Sequence, residues 1–232
     1  MTDRDSLNEL FDIVSGYVSH RALPLTAAAL PFMRERFGMG CDVYYRRRLS
    51  VCRMLIDLDM PIDDATLDTL LAAAVSHYLP LDRVPADHCE IRKLLFKNNA
   101  MAEEIFDALS RSDASDDAAW AQLVLNRYAL LIRLTERSVL VESLYEWPAA
   151  DAHRYINETR HAFFGMSEYA KEHYPEFLGA ISVLSEKIRC LTAANEALLD
   201  RYEEMEQPLL EELEALEKEN RELRARLAAK NA

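Results

Sequence analysis

The sequence predicts an all-α protein, and three observations carry that reading. Only 5 of the 232 residues are glycine, too few for a series of tight hairpins, while the strong helix formers Ala, Leu and Glu are abundant. Apolar residues recur at three- and four-residue steps, and the strict apolar-polar alternation of a strand is absent. Prolines and short acidic residues punctuate the chain where helices start and stop.

In chain order, Leu7, Leu10, Phe11 and Val14 mark a first amphipathic helix, and Leu49, Cys52, Leu55 and Ile56 mark the third. Asp63 and Asp64 can cap a helix over 65–78, whose stretch "LAAAVSHYLPLD", residues 71–82, reads as a buried helix that runs into Pro80. Pro80 and Pro85 bracket a loop ahead of a helix over 87–96. Residues 118–147 are apolar on most sides and predict one long central helix. Its Arg127, Arg133, Glu136 and Arg137 must then find partners, because an unpaired charge in a core is expensive. Pro148 opens an amphipathic helix over 149–173, and Pro175 starts the last element.

That last element carries the clearest pattern. Ile181, Leu184, Ile188, Leu191, Asn195, Leu198, Tyr202, Met205 and Leu209 follow the a and d spacing of a coiled coil. One extra residue shifts the phase beside Pro208, and the pattern resumes at Leu213, Leu216, Asn220, Leu223 and Leu227. The proline should kink or interrupt the helix there. Asn195 and Asn220 fall at a positions, where a buried amide pair costs stability but fixes register in a parallel dimer. The domain reading is a helical bundle over 1–175 followed by a long coiled-coil helix over 176–232 with a break near Pro208, its seam from Ile181 to Leu227 roughly 70 Å long if straight. The alternative is that the helix up to about residue 200 packs back on its own domain and only the tail is exposed.

A net charge of −13 disfavours non-specific binding to nucleic acid or to anionic membrane. Arg46, Arg47 and Arg48 form a short basic exception that reads first as a solvated helix face. Cys41, Cys52, Cys89 and Cys190 are far apart and form no CxxC pair, so neither a disulfide scaffold nor a zinc ribbon is signalled. The start, "MTDRDSLNEL", has no basic-then-apolar signal pattern, and no stretch approaches the length of a membrane span. These features predict a cytoplasmic protein with reduced thiols.

A helical metal-dependent phosphohydrolase brings His and carboxylate ligands from several helices to one divalent ion, which lowers the pKa of a bound water and offsets phosphate charge. His77 at a helix end and the charged run "IRLTERSVLVESL", residues 132–144, suit such a plan. Other constellations carry less. Glu158 and His161 form an E-x-x-H pair, but a di-iron bundle needs a second such pair and none exists. Asp87, His88, Cys89 and Glu90 are neighbours in sequence and point in different directions on a helix. No Gly-rich phosphate loop and no G-x-S-x-G motif is present.

The segments "RRLSVCRML" at 47–55, "AAVSHYLPLD" at 73–82, "IRLTERSVLVESL" at 132–144 and "RYINETRHAFFGMSEYAKEHY" at 154–174 follow one another in an order and spacing that resemble the HD superfamily. The resemblance is specifically to the N-terminal hydrolase domain of RelA/SpoT-type alarmone enzymes, over roughly residues 25–175. The resemblance implies an HD-like helical bundle and a manganese-dependent hydrolysis of guanosine alarmones. It also locates the site: the first metal histidine falls on Arg47, the doublet's histidine is His77, its aspartate becomes Tyr78, and the final aspartate becomes Glu136. The acidic pair that orients the attacking water reads Leu81-Asp82, which leaves Asp82 as the catalytic candidate. Arg137 beside Glu136 is kept, a nucleotide-contacting asparagine becomes Leu140, and the substrate-side stretch "GMGCDVY" keeps Tyr44 and an acid, Asp42.

Only one of four ligands is unchanged, and a guanidinium delivered to such a site repels a cation. The sequence therefore predicts that His77 and Glu136 are the remnant of a metal site and that Arg47 takes the ion's place, paired with Glu136 and Asp82. The expected function is a non-catalytic nucleotide-binding or regulatory module dimerised through its coiled coil. Tyr44, Arg47, Arg133 and Arg137 would be available to a guanine nucleotide or phosphate, with no cofactor required. Two alternatives stand beside it: an active manganese-dependent phosphohydrolase with a rearranged shell of His77, Asp82 and Glu136, and a coiled-coil adaptor for a protein partner.

Overall fold

The structure, a computed structural model, describes residues 3–37, 42–76, 99–111 and 117–230, and within them it is all-α. The helices are α1 (Asp3–His20), α2 (Pro24–Phe37), α3 (Asp42–Asp57), α4 (Asp64–Ser76), α5 (Ala100–Arg111), α6 (Asp117–Leu123), α7 (Arg127–Glu142), α8 (Ala149–Glu158), α9 (Phe164–His173) and α10 (Leu178–Lys230). His77, Tyr78 and Asp82, and the helix expected over 87–96, lie outside the described residues.

Two helices are buried on every side and organise the bundle. In α4 the unbroken run from Leu67 to Ser76 is buried, so its alanines and leucines face neighbours all round. Asp63 begins it as the sequence predicts, its carboxylate accepting the Thr66 N–H at 2.7 Å. Asp68 is the exception in this apolar helix, and it has a task. Its carboxylate accepts the Leu25 and Thr26 N–H groups, both at 2.8 Å, which are orphaned donors in the first turn of α2. The second buried helix is α7, in which Ala129 to Ser138 are buried. Around this pair, Val14 and Val18 of α1, Leu30 and Met33 of α2, Leu49, Cys52 and Leu55 of α3, and Ile105 and Leu109 of α5 close one core. Each fully buried leucine contributes about 1.5–3 kcal/mol by leaving water.

Residues 118–147 do not form the single helix their composition suggests. The chain breaks between Leu123 and Arg127, where Asn126 adopts an extended conformation and its side-chain oxygen accepts the Tyr128 and Ala129 N–H groups. A helix cap in the middle of an apolar run thus divides it into α6 and α7, and a short 3-10 turn over Leu144–Glu146 ends it. The helix expected over 149–173 is present but carries a π turn at Thr159–Phe163 between α8 and α9.

The last helix departs from expectation twice. It is not interrupted at Pro208, and the α-helical path runs from Leu178 to Lys230. An internal proline costs about 3 kcal/mol. The Glu-, Leu- and Ala-rich flanks on both sides, strong helix formers, offset that cost. The first part of the predicted seam also serves this chain's own domain. Ile181, Leu184 and Ile188 are buried against the bundle and Leu199 is buried in place of the expected Leu198, whereas Tyr202, Met205, Leu209, Leu213, Leu216 and Leu223 are each at least half exposed. Asn195 correspondingly faces this chain's own bundle: its amide donates to the Val141 carbonyl at 2.9 Å and the Leu191 carbonyl at 2.8 Å. Among the described residues no helix is long and apolar enough to cross a membrane.

Candidate functional site

Helix α7 carries Arg133, Glu136 and Arg137 within four residues, and all three are buried. Spacings of three and four residues bring side chains to neighbouring positions on one side of a helix. Arg133 therefore folds along its own helix, donating from Nη1 to Glu136 Oε2 at 3.1 Å. From Nη2 it donates to the Leu109 carbonyl at 2.9 Å, one of the acceptors that the last turn of α5 leaves without a helical partner. The other carboxylate oxygen of Glu136, Oε1, accepts a bond from Nη1 of Arg48 on α3. The three side chains are 7 to 10 % exposed, so two guanidinium groups enclose one carboxylate in a setting nearly free of solvent.

Arg48 takes the place expected of Arg47. Successive helical residues diverge by about 100°. Arg48 lies on the same stripe as Tyr45, Cys52 and Leu55 and is carried into the core, while Arg47 is turned away from it. The Arg47 guanidinium lies 5.7 Å from the centre of the Trp147 ring and 6.0 Å from that of Tyr44, a cation–π arrangement. Tyr44 is exposed and accompanies Arg47, so neither of these two expected substrate residues joins Glu136.

Arg137 has a separate setting one step along α7. Its guanidinium is held between two rings, 3.8 Å from the centres of both Tyr155 and Phe163. It donates to the Thr159 hydroxyl at 3.1 Å and to a carboxylate oxygen of Glu158. Tyr155 and Phe163 would stand about 80° apart on an unbroken α-helix. The wider π turn between them reduces that offset and lets both rings face one cation. Glu158 thereby has a partner in Arg137, and the exposed His161 one turn on does not share it.

The chemistry of this arrangement is charge neutralisation within the core. Both oxygens of Glu136 are engaged by cations. A divalent ion bound there would have to displace Arg48 or lie against it, so the described residues do not fit a metal, and no group of three His, Cys, Asp or Glu side chains among them is arranged to hold one. Below Arg48, the buried Cys52 thiol donates to the Leu71 carbonyl at 3.7 Å. Burial pushes its pKa up to about 12 against the opposing pull of Arg48, which keeps it protonated and unreactive.

Two clefts open elsewhere on the bundle. One of about 460 Å³ is lined by Trp120, Val124, Glu158, His161, Met166 and Tyr169, and one of about 360 Å³ by Leu10, Arg53, Met54, Asp57, Val183 and Lys187. Neither is lined by Arg48, Arg133 or Arg137. Of the residues singled out from sequence, Arg133 and Glu136 are therefore brought together, Arg137 is adjacent but separately partnered, and Tyr44 and Arg47 lie apart. His77 and Asp82 fall outside the described residues. Arg48 was the residue sequence reasoning missed, although its place seven residues before Leu55 on the apolar stripe was a usable signal. Comparisons with protein-family models, with curated proteins and with solved structures found no match to this chain.

Proposed function

We propose that this protein is a non-catalytic, HD-like helical module in which arginine has replaced the metal ion, and that it works as a regulatory or scaffolding unit assembled through the exposed half of α10. The observation that carries the reading is the enclosure of Glu136 by Arg48 and Arg133. In a metal-dependent hydrolase this carboxylate would face the ion that activates water. Here it faces two fixed positive charges that cannot ionise a water molecule. The resemblance in segment order supports the kinship, and the substitutions at Arg47, Tyr78 and Glu136 support the loss of catalysis.

Arg133 and Arg137, two of the three arginines expected to meet a nucleotide phosphate, are buried and engaged with carboxylates, which favours scaffolding over guanine-nucleotide binding. The adaptor reading draws on the row of exposed apolar residues from Tyr202 to Leu223, a surface suited to another helix.

The test is a manganese titration by calorimetry, together with phosphate release from guanosine tetraphosphate, on purified full-length protein and on His77→Ala. The expected result is neither manganese binding nor release. Manganese-dependent release abolished by His77→Ala would overturn the proposal and establish a rebuilt phosphohydrolase. Nucleotide binding without turnover would return the ligand-binding form of the reading.

A further inference from the structure

We infer that the exposed half of α10 pairs with a second copy of this chain in antiparallel orientation, so that the two bundles stand at opposite ends of a shared two-helix rod. The inference rests on the proposed role of the tail in assembly and specifies its geometry.

The first ground is steric. At 100° per residue, the bundle-facing group Ile181, Leu184, Ile188, Asn195 and Leu199 and the exposed group Tyr202, Met205, Leu209, Leu213, Leu216 and Leu223 centre about 60° apart. The apolar row of the tail therefore stays on the side of the helix that α7, α8 and α9 cover upstream, overlapping that face in part. His153 of α8 still reaches this helix beyond Leu199, its Nε2 lying 2.9 Å from Glu203 Oε1. In a parallel pair the second helix would lie along that face in register. Its upstream half would then enter space that α7 and α8 already fill. An antiparallel partner arrives by its C-terminal end and meets no such obstacle.

The second ground is the spacing. The row Tyr202, Met205, Leu209, Leu213, Leu216, Asn220, Leu223 and Leu227 reads nearly alike from either end, about a point between Leu213 and Leu216. Antiparallel pairing about that point sets Leu213 opposite Leu216 of the partner subunit and Tyr202 opposite Leu227 of the partner subunit. Lys230 then reaches the level of Leu199, where the bundle begins, so the overlap uses the whole exposed length. Asn220 meets Leu209 of the partner subunit, a polar layer that costs stability and that the exclusion of the parallel form outweighs.

The third ground is charge. Residues 203–209 contain three glutamates and no basic residue, whereas 220–226 contain three arginines and one glutamate. Parallel pairing opposes like charges at both ends of the row, and antiparallel pairing opposes unlike ones. The acidic stretch between them meets itself in either orientation and does not discriminate. Thirty-one residues at 1.5 Å each then separate the two Leu199 levels by about 45 Å.

The test uses the full chain with Cys41, Cys89 and Cys190 changed to serine and a spin label on Asp200→Cys, an exposed position at the edge of the bundle. Pulsed dipolar spectroscopy gives the label separation, and light scattering at micromolar concentration gives the mass. A dimer with a separation near about 45 Å supports the inference. A dimer with labels closer than about 25 Å, as axes about 10 Å apart require for parallel helices, overturns the orientation and leaves self-assembly standing. A monomer overturns the pairing itself. Small-angle scattering of the unmodified chain supplies the check if the labelled variant fails to fold: two separated lobes support the antiparallel rod, and one lobe of dimer mass or a monomer contradicts it.

Discussion

Replacing Glu136 by glutamine leaves the shape of the core intact and removes the carboxylate charge that Arg48 and Arg133 share. Both arginines are less than a tenth exposed, so water cannot take over the lost role. Removing one partner of a buried ion pair costs about 3–5 kcal/mol. The glutamine carbonyl can still accept one guanidinium hydrogen bond, which places Glu136→Gln near the lower end, about 3 kcal/mol. With a urea dependence of about 3 kcal/mol per molar, the upper range for a small domain, the midpoint should fall by about 1 M. Both tryptophans, Trp120 and Trp147, lie in the bundle and none lies in the tail, so their fluorescence reports unfolding of the relevant part alone. Arg47→Met is the control. It removes only a cation–π contact worth about 0.5–1 kcal/mol, and its midpoint should move by less than half as much. A double-mutant cycle of Arg48→Met with Glu136→Gln should be non-additive by at least about 1 kcal/mol. A Glu136→Gln midpoint indistinguishable from the parent, or an additive cycle, would refute the triad.

Asn195→Ala should remove the side-chain donor to the Val141 carbonyl at the end of α7 and cost about 1 kcal/mol in the same urea assay, with no change of oligomeric mass. Loss of the dimer with stability unchanged would instead put Asn195 in an intermolecular seam. Alkaline pH should destabilise the bundle through Cys52 and Tyr45, whose ordinary values are 9.0 and 10.0 and which burial raises, Cys52 to about 12. Both are held neutral when folded, so their contribution is complete below about pH 9 and is lost as pH climbs from there through the folded values, by up to about 1.4 kcal/mol per pH unit for each group. Melting temperatures measured from pH 8 to 11 should hold at first and then fall. A flat profile to pH 11 would show that the two groups are not sequestered.

The helical class, the cap at Asp63, the buried helix behind "LAAAVS" and the helix after Pro148 were legible because each rests on local chemistry: spacing, a side-chain acceptor, a proline. What was not legible depends on which of two compatible arrangements the tertiary structure selects. Asn126 is a good cap, yet it sits inside an apolar run that gives an uninterrupted helix equal standing. The π turn at Thr159–Phe163 adds a single residue and barely disturbs the three-four rhythm on either side. The seam from Ile181 to Leu199 has coiled-coil spacing because a helix packing on its own bundle and one packing on a partner need the same stripe. At the site, segment alignment pointed to Arg47, while the apolar stripe through Cys52 and Leu55 pointed to Arg48. Periodicity proved the better guide, because it reports which way a side chain faces.

Helix α10 is a wall of the core over its first twenty or so residues and a boom beyond them. Its free length from Leu199 to Lys230 is about 45 Å, so a tilt of about 10° in the packed portion sweeps the tip through about 8 Å. Small repacking around Val141, Leu144 and Ile156, the cluster in which Leu199 is seated, is thus amplified several-fold at the far end. With a second bundle attached there, the helix acts as a linkage: whatever shifts one bundle against its own boom re-aims the other.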